Sequence, residues 1–154
     1  TENVARVYLI VVNGEIYKIG GSQDKKGMKG TLNIYQDGGV KGRPSIRSFG
    51  IWYFLFYTIA ELKRKIEIYM IYQENFATQV KGLTGYHFVG NAAISYKLIE
   101  ECCIMDFRQR ENGEYPKWNI QEQGADWPTE IKTEHANITK NSVSNNSKRK
   151  TVKV

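Results

Sequence analysis

Sulfur, proline and histidine are scarce in this chain of 154 residues: two Cys, three Pro and two His. The cysteines are neighbours, Cys102 and Cys103. Adjacent residues on one helix or strand point apart and cannot close an ordinary disulfide. With His87 and His135 isolated, nothing has the spacing of a zinc site either. No run reaches the ~20 apolar residues of a membrane span, since Ile51–Ala60 stops at Glu61-Leu62-Lys63-Arg64. No G-x-x-x-x-G-K-[ST] loop is present, which excludes a P-loop nucleotide site. His87 has no motif around it to suggest a Ser/His/Asp hydrolase. The start, Thr1 to Arg6, lacks the regions of a secretory signal. The expectation is a reduced, cytoplasmic protein with no membrane partner.

What is present is an ordinary globular composition, 41% hydrophobic and 12% aromatic with ten Tyr, and a net charge of +6. The charge is segregated. From Lys132 onward six basic residues face one acid, Glu134. Residues 17–47 hold seven basic residues against Asp24 and Asp37, and residues 98–130 hold eight carboxylates against three bases. Two basic stretches suit a polyanion, because each neutralised phosphate releases counterions. Lys25, Lys26, Lys41 and Arg43 are the candidate DNA-backbone contacts.

Along the chain, Ala5–Val12 and Glu15–Ile19 flank Asn13-Gly14, a strong hairpin signal. Met28–Gln36 reads as a short helix, and Ser45 as the cap of a second helix running towards Leu62. Lys65–Tyr72 reads as a third strand, with Ile66, Ile68, Met70 and Tyr72 alternating. Gly82–Gly90 reads as loop, and Asn91 as the cap of a helix to about Arg108. From Thr133 the chain is polar and without period, which predicts a flexible tail. The sum is a single α+β domain over 1–131 with a small three-stranded antiparallel sheet flanked by helices (ββααβα), and a basic tail over 132–154.

Two constellations could carry chemistry. On the last helix Ile94, Leu98, Glu101 and Met105 form one stripe at 3.6 residues per turn, which puts Glu101 in an apolar row. A carboxylate there is costly unless it is paired or binds a cation. The competing face is Ile99, Cys103 and Phe107, which leaves Glu101 in solvent. On the hairpin, Tyr8 and Lys18 converge if they share a face, and a Tyr beside a Lys can serve as a general base. The bland alternative is that Tyr8 packs in the sheet and Lys18 guards its edge.

Val7-Tyr8-Leu9 followed by Tyr17-Lys18-Ile19-Gly20 resembles the signature of the GIY-YIG nuclease superfamily, with Lys18 in the place of the second motif Tyr. Glu101, trailed by Ile104, Met105 and Phe107, resembles its helix motif, and Pro116-Lys-Trp-Asn119 its closing motif. The motifs come in the family's order over residues 5–121. The family's strand glycine is replaced by Arg6-Val7. Its helix Arg has no direct counterpart, and Lys29 or Arg47 stands in that role.

The resemblance implies a metal-dependent endonuclease acting on double-stranded DNA, most simply a type II restriction-like enzyme. A phage or homing-type nuclease, or a non-catalytic nucleic-acid-binding module of the same fold, are the alternatives. Glu101 would hold one Mg²⁺ (or Mn²⁺), and Tyr8 with Lys18 would take a proton from the attacking water. Arg47 or Lys29 would clamp the phosphate, Asn119 would brace the site, and Tyr17 and Tyr35 would lend support. A double-strand cut needs two such sites, hence a homodimer. Its seam would draw on the aromatic run Ile51–Tyr57 or on the Trp118–Trp127 loop.

Overall fold

The computed structural model describes residues 6–22, 28–37 and 44–150. It is an α+β structure in the order β1 (Arg6–Val12), β2 (Glu15–Ser22), α1 (Met28–Asp37), α2 (Ile46–Ala60), β3 (Ile66–Tyr72), β4 (Phe76–Lys81), β5 (Tyr86–Ala92), α3 (Tyr96–Arg110) and α4 (Thr129–Lys150). The chain divides into two compact units. One takes Thr1–Met28 and Ile66–Asn119, the other Lys29–Lys65 and Ile120–Val154. No described helix is long and apolar enough to cross a membrane.

In the first unit the three-stranded sheet has the order β2-β1-β3, antiparallel throughout. Asn13 and Gly14 turn the hairpin with φ of 50° and 87°, the left-handed pair that matches strand twist. The register is Tyr8 opposite Gly20 and Ile10 opposite Lys18, then it shifts, so that Val11 meets Ile16. Tyr17 is the extra residue of this bulge. Because side chains alternate, Tyr8, Ile10, Lys18 and Gly20 share one face, and Val7, Leu9, Ile19 and Gly21 the other.

Helix α3 covers that second face. Ser95 caps it, accepting from the Lys97 N–H at 3.2 Å, so the helix begins four residues beyond the expected Asn91 cap. Tyr96, Ile99, Cys103, Ile104 and Phe107 pack against Val7, Leu9, Ile16 and Ile19. Each side chain fully buried in this way contributes about 1.5–3 kcal/mol. The stripe through Glu101 is therefore not the packed one. Leu98 and Met105 are 48% and 62% exposed, and Glu101 is exposed with them.

The span expected to be loop, Gly82–Gly90, is the turn and most of β5 in a second sheet, the hairpin β4–β5, closed by Gly82 and Gly85 with a 2.6 Å backbone hydrogen bond. Phe76-Ala-Thr-Gln-Val-Lys carries a weak alternation that its glycine-rich continuation obscures.

In the second unit Ser45 caps α2, accepting from the Ser48 N–H at 3.1 Å. Gly50, an otherwise costly residue inside a helix, lies under the Trp127 ring, which leaves no room for a Cβ. Phe49, Ile51 and Trp127 are buried. The segment read as an aperiodic tail continues this unit as α4. Its Ile131 is fully buried, and His135, one turn on, sits 5.6 Å from the Phe49 ring with Nε2 2.7 Å from the Pro44 carbonyl. The boundary at 131 thus falls inside a helix.

Candidate active site

Tyr8 and Lys18 are diagonal neighbours on one face of the β1–β2 pair, a separation of about 7–8 Å that aromatic and long side chains bridge. Both are buried, at 2% and 1% exposure. A buried lysine is costly and is kept where its charge is used or paired. The Tyr8 ring lies flat over Gly20: a Cβ there would fall on the phenol oxygen and on Cζ, and within 2.9 Å of Cε1. Gly20 is what lets the phenol lie across the strand. Arg6 and Ser22, paired with each other across the strands, extend the same face. Arg6 was legible only as a departure from the family pattern; its place two residues before Tyr8 puts a guanidinium on this face.

The next glycine does the opposite job. A Cβ on Gly21 would meet the Tyr96 ring and, at 2.9 Å, Oε2 of Glu100. So Glu100, half-buried, is the α3 carboxylate that reaches β2, on the sheet face opposite Tyr8 and Lys18. Glu101 is exposed to solvent, and both carboxylates stand on the helix that covers the face opposite Tyr8 and Lys18. The physical reason is rotation about the helix axis. Packing through Ile99, Cys103 and Phe107 turns Glu101 outward.

The backbone around Lys18 is held from the outer edge of β2. Asn119, fully buried, accepts from the Ile19 N–H and donates to the Ile19 carbonyl, both at 2.8 Å. Just before it, the Trp118 N–H donates to the Tyr17 carbonyl at 2.7 Å. The residues on either side of Lys18 are thus pinned by Trp118-Asn119, which acts as a short substitute strand. Tyr17 belongs to this clasp. Its ring meets Trp118 edge-on at 5.2 Å, and Lys117 Nζ lies 4.6 Å above it. The hydrogen bond from Lys117 to Glu15, followed by that to Tyr17, holds the Lys117 ammonium above the usual lysine range.

Lys29, Tyr35 and Arg47 are in the second unit. Tyr35 is buried in α1 and Lys29 is exposed. Arg47 forms an ion pair with Glu122 at 3.3 Å. Lys25, Lys26, Lys41 and Arg43 lie outside the described residues. Trp118 and Trp127 are buried within the protomer, so these two side chains are not free to form a seam. Cys102 and Cys103 are both free thiols, and burial, with Asp106 adding to it, pushes the Cys103 thiol up.

Among the described residues no three His, Cys, Asp or Glu side chains gather into a metal-binding group. A single carboxylate suits Mg²⁺, which keeps several waters and needs few protein ligands; it does not suit a zinc-type centre.

No protein-family model and no curated protein matches the chain. A solved structure of restriction endonuclease HPY188I in complex with product DNA aligns with 75% of this chain at 20% identity and a TM-score of 0.38. The aligned part spans 62% of the length of that chain.

Proposed function

We propose that the chain is a metal-dependent endodeoxyribonuclease that hydrolyses phosphodiester bonds in double-stranded DNA, with restriction-like action as the leading form. The observation that carries this reading is the Tyr8 face. A tyrosine and a buried lysine share one sheet face over a glycine that makes room for the phenol, and the backbone of Ile19, next to the lysine, is clamped by Asn119. The net charge of +6 and pI of about 9.2 suit a polyanionic substrate.

In this reading the Tyr8 oxygen accepts a proton from a water molecule. The resulting hydroxide attacks phosphorus in line, and the P–O bond to the leaving sugar oxygen breaks. That oxygen takes its proton from solvent. The Lys18 ammonium stabilises the phenolate form of Tyr8 by its charge. Arg6, on the same face, is the cation placed to hold the phosphate, a role the sequence suggested for Lys29 or Arg47. A Mg²⁺ or Mn²⁺ held by an α3 carboxylate would supply charge neutralisation at the phosphate.

We assign that carboxylate to Glu100, which reaches β2 at Gly21 on the sheet face opposite Tyr8, rather than to solvent-facing Glu101, so the metal would stand across β2 from the phenol. Glu100→Gln is expected to lower cleavage by ~10²-fold or more while sparing DNA binding, and Glu101→Gln to stay within a few-fold of the parent. Single-turnover cleavage with saturating DNA measures both. The reverse pattern restores Glu101; two fully active variants remove α3 from the chemistry. The α3 helix covers the face opposite Tyr8, which favours one second reading, a nucleic-acid-binding module without catalysis. DNA binding with no cleavage in any divalent metal would select it.

A further inference from the structure

Strand β3 is the edge of the three-stranded sheet opposite β2, and no described strand pairs with its outer side. Every residue from Ile68 to Tyr72 is exposed, between 39% and 65%, although all five are large and apolar or aromatic. An edge strand in a monomer is normally guarded by lysine, proline or a bulge. Here the seven residues contain one charge, Glu67, no proline, and an unbroken register with β1. The hairpin that follows after three residues repeats the pattern. Phe76, Val80, Tyr86 and Phe88 are 40–75% exposed, and Leu83 projects fully from its tip. A two-stranded hairpin alone is marginal in water and needs something to pack on.

We propose that the β3 edge, with the β4–β5 hairpin that follows it in sequence, is a two-fold interface with a second copy of this chain. Size is the first argument. Ten large side chains exposed to this degree, five on β3 and five on the hairpin that follows it in sequence, present on the order of 1,000 Å² of apolar surface in all. A standard interface buries about 800 Å² per partner. Charge is the second. Between Ile66 and Ala92 the only lysine or arginine is Lys81, against Glu67 and Glu74. Such a surface cannot neutralise phosphates, so it suits protein rather than DNA. Symmetry is the third. One free edge pairs with itself in an antiparallel ladder across a two-fold axis, using the same hydrogen-bonding groups from each copy.

Pairing β3 with its partner's β3 makes a continuous six-stranded sheet with both Tyr8 faces on the same side. The two β1 strands would lie about 14 Å apart, three strand spacings. If the nuclease reading holds, this supplies two sites for two strands. The interface itself does not rest on that reading.

Light scattering on the full chain, without DNA, tests the interface independently of activity. The parent is expected to show twice the protomer mass. The double variant Tyr69→Lys/Ile71→Lys, on the face away from Tyr8, is expected to halve it with an unchanged circular dichroism spectrum. If the double variant does not fold, Ile71→Lys alone, at a site already 40% exposed, is expected to weaken the dimer by ~10-fold or more. A parent that stays monomeric at its solubility limit overturns the proposal, as does a folded variant that still dimerises like the parent. A partner of another kind on this surface would show itself as the first of these outcomes.

Discussion

Lys18→Met is expected to lower single-turnover cleavage by about 10²–10⁴-fold and to leave the fold intact. Methionine keeps most of the volume of the lysine stem, so the packing on the Tyr8 face survives. What disappears is one positive charge at a position 1% exposed. Holding a cation there costs stability, and a chain that only needed filling would do as well with an apolar residue. Cleavage per folded molecule is therefore expected to fall whatever the change in the thermal midpoint of the variant. The same variant should alter the pH profile, because the lysine charge favours the ionised phenol of Tyr8. A variant that melts early yet cleaves within a few-fold of the parent would make Lys18 a structural residue.

Asn119→Ala is expected to be the most destabilising single change near the site. The amide side chain satisfies both backbone groups of Ile19, and it is completely buried. Removing it leaves a donor and an acceptor without partners where water is absent. Each such group costs about 1–3 kcal/mol, so the total is about 2–6 kcal/mol. In a chain of this size each kcal/mol moves the thermal midpoint by about 2–4 °C. Asn119→Asp keeps the acceptor for the Ile19 N–H, loses the donor and buries a charge, so it should be no milder. Because Ile19 follows Lys18 directly, cleavage by whatever fraction remains folded should also fall. Denaturant unfolding read together with cleavage per folded molecule separates the two effects. A loss of less than ~0.5 kcal/mol would contradict the clasp, since that is the scatter of ordinary surface substitutions.

The parts of the fold that could be read from the sequence are those with a local signal. Asn13-Gly14 between two β-branched runs, the alternation through Ile66–Tyr72 and the Ser45 cap all act over a few residues, and all three appear where they point. Asn119 was legible as a brace only through the family resemblance, since its partner is 100 residues away. The choice of carboxylate was not legible. Two apolar stripes interleave on α3, one through Glu101 and one through Ile99, Cys103 and Phe107, and only the sheet decides which packs. The β4–β5 hairpin was hidden because glycine and threonine interrupt its alternation, and α4 because Ile131 and His135 make too sparse a stripe among polar residues. Arg6 was visible only as a mismatch to the family motif; the strand register turned it into a neighbour of Tyr8.

Incubation of supercoiled plasmid with the parent and with Tyr8→Phe, in Mg²⁺ and in chelator, tests the central claim most directly. Tyr8→Phe removes one oxygen and leaves the ring over Gly20. The parent is expected to cut in Mg²⁺ and to stop in chelator. Tyr8→Phe is expected to bind the plasmid as tightly and to cut at least ~10²-fold more slowly. A parent that binds but never cuts, or a Tyr8→Phe variant that cuts at the parent's rate, would contradict it.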